Sequence, residues 1–147
     1  SLSANTAKPP GDSDAGAGLF HSQGCAGCHR IRGEGGALGP DLSAIGAARS
    51  VDNLKESIVD PSAQVQPLYW TVSFEDASGK AVHGFLLNED TYTVQLLDRA
   101  VVLHSYEKAG LKNYTIDKHS AMPSYRNKLS SQQLDDLVAY LWSQRPQ

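Results

Sequence analysis

The sequence predicts a mainly α chain interrupted by an antiparallel β-meander, and three observations carry that expectation. Near the end, Leu134, Leu137, Val138 and Leu141 recur at i, i+3, i+4 and i+7, the apolar stripe of one helical face. In the middle, Val51, Leu54, Ile58 and Val59 repeat that period between Ser50, a capping residue, and Asp60-Pro61, a helix stop. Between the two, from Pro67 to Lys118, the period falls to two: Trp70, Val72 and Phe74 alternate with Tyr69, Thr71 and Ser73. The 147 residues suffice for one domain with a sizeable core, read here as residues 12–147 with residues 67–118 as a β-rich insertion.

Residues 1–11, with Pro9-Pro10-Gly11 and few apolar side chains, read as a flexible tail or former linker. Asp12, Ser13 and Asp14 are helix-capping types, and the stretch through Ala17, Leu19, Phe20 and Gln23 is expected to be helical despite Gly16 and Gly18. Each glycine costs a helix roughly 1 kcal/mol relative to alanine, so two of them ask for a reason, such as another helix crossing closely. From Arg30 to Leu42 the chain carries Gly33, Gly35, Gly36 and Gly39 and reads as irregular. Inside the insertion, Asp76-Ala77-Ser78-Gly79 and Asn88-Glu89-Asp90 are turn chemistry around strands at Lys80 to Leu87 and Thr91 to Leu97, followed by Ala100 to Tyr106 and Leu111 to Ile116. Ser130 and Gln133 form a capping box for the last helix, and Pro146 ends it.

Charge is small and evenly spread, with a formal net of -3. No segment forms a basic footprint for nucleic acid or a polybasic membrane patch. No apolar run approaches the ~18 residues of a membrane span.

The chemistry concentrates in Cys25-Ala26-Gly27-Cys28-His29, which holds both cysteines of the chain. This CxxCH spacing is the attachment signature of haem c. Two thiols must add across the vinyl groups on one haem edge while the adjacent imidazole reaches the iron. A zinc site would need further thiolates or paired histidines. A thioredoxin-like dithiol follows a strand in a βαβ unit, and the flanks here do not read as one.

Together with Gly16-Ala17-Gly18-Leu19-Phe20, Gly39-Pro40 and Met122-Pro123, this motif resembles the class I c-type cytochromes over residues 12–60 and 119–147. The run from Gly33 to Leu42, the helix end Ser57-Ile58-Val59-Asp60-Pro61 and the strand-rich insert are similar to haem-binding domains at the ends of larger bacterial exported proteins, often behind a dehydrogenase domain. The resemblance implies a cytochrome c-like helical haem domain whose β-meander is inserted between the middle helix and the Met122 loop. It implies one covalent haem c on Cys25 and Cys28, with His29 as one axial ligand, Pro40 lending its carbonyl to the ring N–H of His29, and Met122 as the second ligand. Arg49 would meet a haem propionate, or stand as an ordinary surface arginine. The function implied is that of a bacterial electron carrier, not an enzyme, exported to the periplasm with its leader removed or as a piece of a longer protein. Its partners would be a dehydrogenase donor and an oxidase or second cytochrome as acceptor.

Met122 is the only methionine, and a thioether ligand favours ferrous iron and raises the potential relative to two nitrogens. His119, three residues earlier, is its nearest competitor; His21, His83 and His104 read as core or surface residues. One alternative is a haem-based sensor or peroxidase-like enzyme with an openable distal site, although Arg126, the arginine nearest Met122 in sequence, has no recognisable histidine partner. A third reading makes the β insertion a docking surface; its Tyr69, Trp70, Phe74, Phe85 and Tyr92 are more simply the packing of a small sheet.

Overall fold

The computed structural model describes residues 7–146. Among the described residues are four helices and a five-stranded antiparallel sheet, with 29% helix and 24% strand. The expectation of a mainly α protein is therefore overturned. The longest helix has only 12 residues, while the alternating stretch turns into strand along most of its length. The described residues divide into two compact units, one comprising those up to Pro61 and from Ser124 onward, the other Ser62–Pro123.

The first unit holds α1 (Ser13–Ser22), α2 (Ile45–Ala48), α3 (Val51–Val59), α4 (Ser131–Trp142) and a short hairpin of β1 (Arg30–Ile31) and β2 (Glu34–Gly35). Side chains close the starts of α1, α3 and α4. Asp12 accepts from the N–H groups of Asp14 and Ala15, Ser50 from Asn53, and Ser130 and Gln133 bond reciprocally. The core joins Phe20, Leu54, Ile58, Leu137, Val138 and Leu141, all buried. Where α1 crosses α4, a Cβ on Gly16 would collide with the carbonyl oxygen of Asp136 and with Cβ of Tyr140. Gly18 has nothing within 4 Å, so one of the two glycines serves the crossing and the other does not. The buried Asp136 is paired: its Oδ1 accepts from the Asp12 N–H at 2.9 Å and from Gln132 Nε2 at 2.7 Å.

Two local expectations meet new detail. The glycine-rich stretch after His29 contains a regular pair, Arg30 opposite Gly35 and Ile31 opposite Glu34. Arg32 and Gly33 both have positive φ, 52° and 82°, which suits a tight two-residue hairpin turn. Of the residues read as a tail, 1–6 lie outside the described residues; Pro9 is buried, and Gly11 lies against the backbone of Asp135.

The second unit is built on β3 (Thr71–Glu75), β4 (Ala81–Glu89), β5 (Thr93–Leu97), β6 (Leu103–Glu107) and β7 (Lys112–Asp117). The strand order is β6-β5-β4-β3-β7. Four strands make a meander, but the fifth returns to pair antiparallel with β3 instead of lying beside β6. Apolar packing explains the crossing. Val72 and Phe74 on β3 are buried at the centre of this unit, and β7 brings Tyr114 and Ile116 against them. The ring of Phe74 meets Tyr106 of β6 at 5.1 Å and Tyr114 of β7 at 5.9 Å, so the sheet curls about that residue. Glu89 closes the corner, accepting from Tyr114 Oη at 2.5 Å and from Lys108 Nζ at 3.0 Å.

Candidate functional site

The end of α1 delivers the CxxCH segment. After Gln23 the chain enters a tight 3₁₀ turn, Cys25–Gly27, in which the N–H groups of Cys28 and His29 both donate to the Cys25 carbonyl, at 3.2 and 2.9 Å. One turn of chain therefore carries two thiols and an imidazole. Both cysteines are free; Cys25 is half-buried and Cys28 exposed. Burial, more than the neighbouring Cys28, pushes the Cys25 thiol up from its ordinary pKa.

The His29 ring is held from one side. Its Nδ1 lies 2.9 Å from the Pro40 carbonyl oxygen. A carbonyl only accepts, so Nδ1 donates the hydrogen, and in the neutral imidazole Nε2 then keeps its lone pair. Two backbone bonds, Gly39 N–H to Cys28 O and Leu42 N–H to Arg30 O, and one to a side chain, Arg32 N–H to Ser43 Oγ, place that carbonyl, each 2.8 Å long. Gly39 must lack a side chain, because a Cβ there would stand 2.8 Å from Cε1 and 2.9 Å from Nδ1 of His29. Backbone and ring are in contact, which fixes both the tautomer and the plane of the imidazole.

The structure thus brings Cys25, Cys28, His29 and Pro40 together. Arg49 belongs to the same unit, is exposed, and stands between α2 and the Ser50 cap of α3. Met122 belongs to the Ser62–Pro123 unit; it is half-buried, and its N–H donates to Ser120 Oγ at 3.1 Å. Three of the other histidines are engaged elsewhere: His83 with Ser73 Oγ, His104 with Asp98 and His119 with Asp117, at 2.7, 2.7 and 2.8 Å. His21 makes an edge contact with Phe20 at 5.9 Å.

Sequence reasoning missed Tyr125. Its side chain is 8% exposed and its hydroxyl donates to the Gln23 carbonyl, two residues before Cys25, at 2.7 Å. Burial first, and then the proximity of Cys25 and Cys28, push its phenol pKa up. The signal for it in the sequence is its place three residues after Met122.

A donor set of two thiols on one turn and one imidazole with a free Nε2 fits a covalently attached haem. The family model for cytochrome c matches residues 13–94, more than half of the chain. The chain belongs to the cytochrome c family. Membership implies haem-binding electron transfer, a covalently bound haem c and redox partners. The match spans the Cys25–His29 motif, Pro40 and Arg49 and ends before Met122. No curated protein matches the chain. Among the described residues no helix is long and apolar enough to cross a membrane.

Proposed function

We propose that this cytochrome c is a bacterial electron carrier with a single haem c joined to Cys25 and Cys28, and with His29 and Met122 as axial ligands. The bond from His29 Nδ1–H to the Pro40 carbonyl is the observation that carries this reading, because it leaves one nitrogen of a fixed imidazole to act as a ligand. When bound, the haem iron supplies one-electron redox chemistry. The chain's own residues set its conditions. His29 keeps one orientation through the Pro40 bond and the Gly39 contact, Cys25 and Cys28 retain the group when an axial bond loosens, and Met122, the only methionine, gives a soft donor suited to a raised potential. Arg49, exposed between α2 and the Ser50 cap of α3, is a candidate partner for a propionate. We further propose that the haem domain is of the class I type and carries the sheet as an insertion. The carrier works outside the cytoplasm, in the periplasm, alone or within a larger exported protein, between a dehydrogenase and an oxidase or second cytochrome.

The test is a redox titration with absorption spectra of the haem-loaded protein and of Met122→His. The substitution is expected to lower the midpoint potential and to abolish the red ferric charge-transfer band that accompanies thioether ligation. An unchanged potential and an intact band would sink the Met122 assignment. Rapid CO binding by the reduced wild type at neutral pH would instead favour an openable distal site.

A further inference from the structure

We infer that Tyr125 is a positioning residue for the Met122 ligand, an inference that rests on the axial pair proposed above. Four groups of Tyr125 are held at once. Its N–H donates to the Ile58 carbonyl at 3.0 Å, its own carbonyl accepts from the Lys128 N–H at 3.0 Å, its hydroxyl donates to the Gln23 carbonyl at 2.7 Å, and Lys128 Nζ stands 5.1 Å from its ring centroid. Ser124 adds a further anchor, its Oγ donating to the Val59 carbonyl at 2.6 Å. These bonds satisfy carbonyls at the ends of two helices, Ile58 and Val59 in the last turn of α3 and Gln23 at the C-cap of α1. The Gln23 bond reaches the attachment segment itself, two residues before Cys25. Tyr125 and Ser124 thereby form one fixed point that spans the end of α3 and the entrance to the CxxCH turn.

Met122 is tethered to that fixed point by Pro123 alone, and two residues of chain reach at most about 7 Å. Proline restricts φ in the tether, so little conformational freedom is left to lose when the thioether binds. A thioether is a weak, exchangeable ligand. Its hold against an incoming nitrogen donor therefore depends on how well the loop is ordered beforehand. Removing the phenol hydroxyl frees one end of the anchor without altering the ligand or its immediate neighbours in sequence.

Imidazole titrated against the ferric, haem-loaded protein, followed by the red thioether band, measures this hold. In Tyr125→Phe the half-saturating imidazole concentration is expected to fall about fivefold, the equivalent of one net hydrogen bond, and in Ser124→Ala at least as far, since Ser124 Oγ also accepts from the Arg126 N–H at 3.3 Å. Ser57→Ala removes a bond to the Asn53 carbonyl, 2.9 Å long, from the exposed side of α3 and is expected to leave the titration unchanged. If Tyr125→Phe does not fold, Ser124→Ala still reads the anchor. Unchanged imidazole affinity in the foldable anchor variants, or an equal fall in Ser57→Ala, overturns the positioning role while leaving the Met122 assignment intact. A wild-type spectrum with no band sensitive to Met122→Ala overturns the axial pair and this inference with it.

Discussion

At the scale of single residues, the attachment site depends on a contact that excludes a side chain. Gly39 lies against the His29 ring, and a methyl group there would have to displace either the imidazole or the loop that presents Pro40. Gly39→Ala is expected to destabilise the protein by about 1–3 kcal/mol, the usual cost of overpacking. Denaturant unfolding would measure this, and a changed nitrogen chemical shift of His29 would show that the ring had moved. The motif Cys25 to His29 was legible in sequence because its meaning lies in spacing along one turn. The Pro40 partner was legible only through resemblance, since eleven residues separate it from His29 and no local pattern links them. Tyr125 was not legible, because its hydroxyl acts on a carbonyl 102 residues away in sequence.

At the scale of elements, caps and periodicity located the long helices closely, while the crossings depend on contacts between elements far apart in sequence. Ser50, Ser130 and Gln133 are local signals and act locally. Gly16 and Gly18 look alike in sequence, yet only Gly16 meets α4. The pair makes a contrasting prediction. Gly16→Ala is expected to destabilise the helical unit by about 3 kcal/mol, because the collision involves the backbone of Asp136, which yields poorly. Gly18→Ala is expected to stabilise it by up to about 1 kcal/mol through helix propensity alone. Thermal unfolding of the two variants, measured side by side, checks the sign of each.

At the scale of the whole molecule, each unit has its own core, and the sheet unit is closed by charge as well as by apolar packing. Glu89 accepts from Tyr114 and Lys108, and these bonds, the tyrosine's first, hold its carboxyl below the usual range, while burial and Glu89 push the Tyr114 phenol up. A lowered folded value means that the pair's stabilising contribution is complete above the unfolded glutamate pKa of about 4.3 and disappears as pH falls through the lower folded value. Glu89→Gln is therefore expected to flatten the acid dependence of the sheet's unfolding below about pH 5, monitored by the tyrosine signals of that unit. If wild type and variant lose the sheet with equal steepness, Glu89 is not the acid-sensitive clamp. Five strands and their approximate places follow from alternation and turn residues, because those forces act between near neighbours. The return of β7 to β3 does not, since it depends on covering Val72 and Phe74 with side chains 40 or so residues further on. By itself the sequence determined the chemistry of the CxxCH turn, the helix caps and the change of period. The tertiary structure alone decided which glycine is crowded, that helix and strand are nearly balanced, how the sheet curls about Phe74, and that Tyr125 ties the ends of α1 and α3. Those outcomes rest on contacts between distant residues, whose energies no local window of sequence contains.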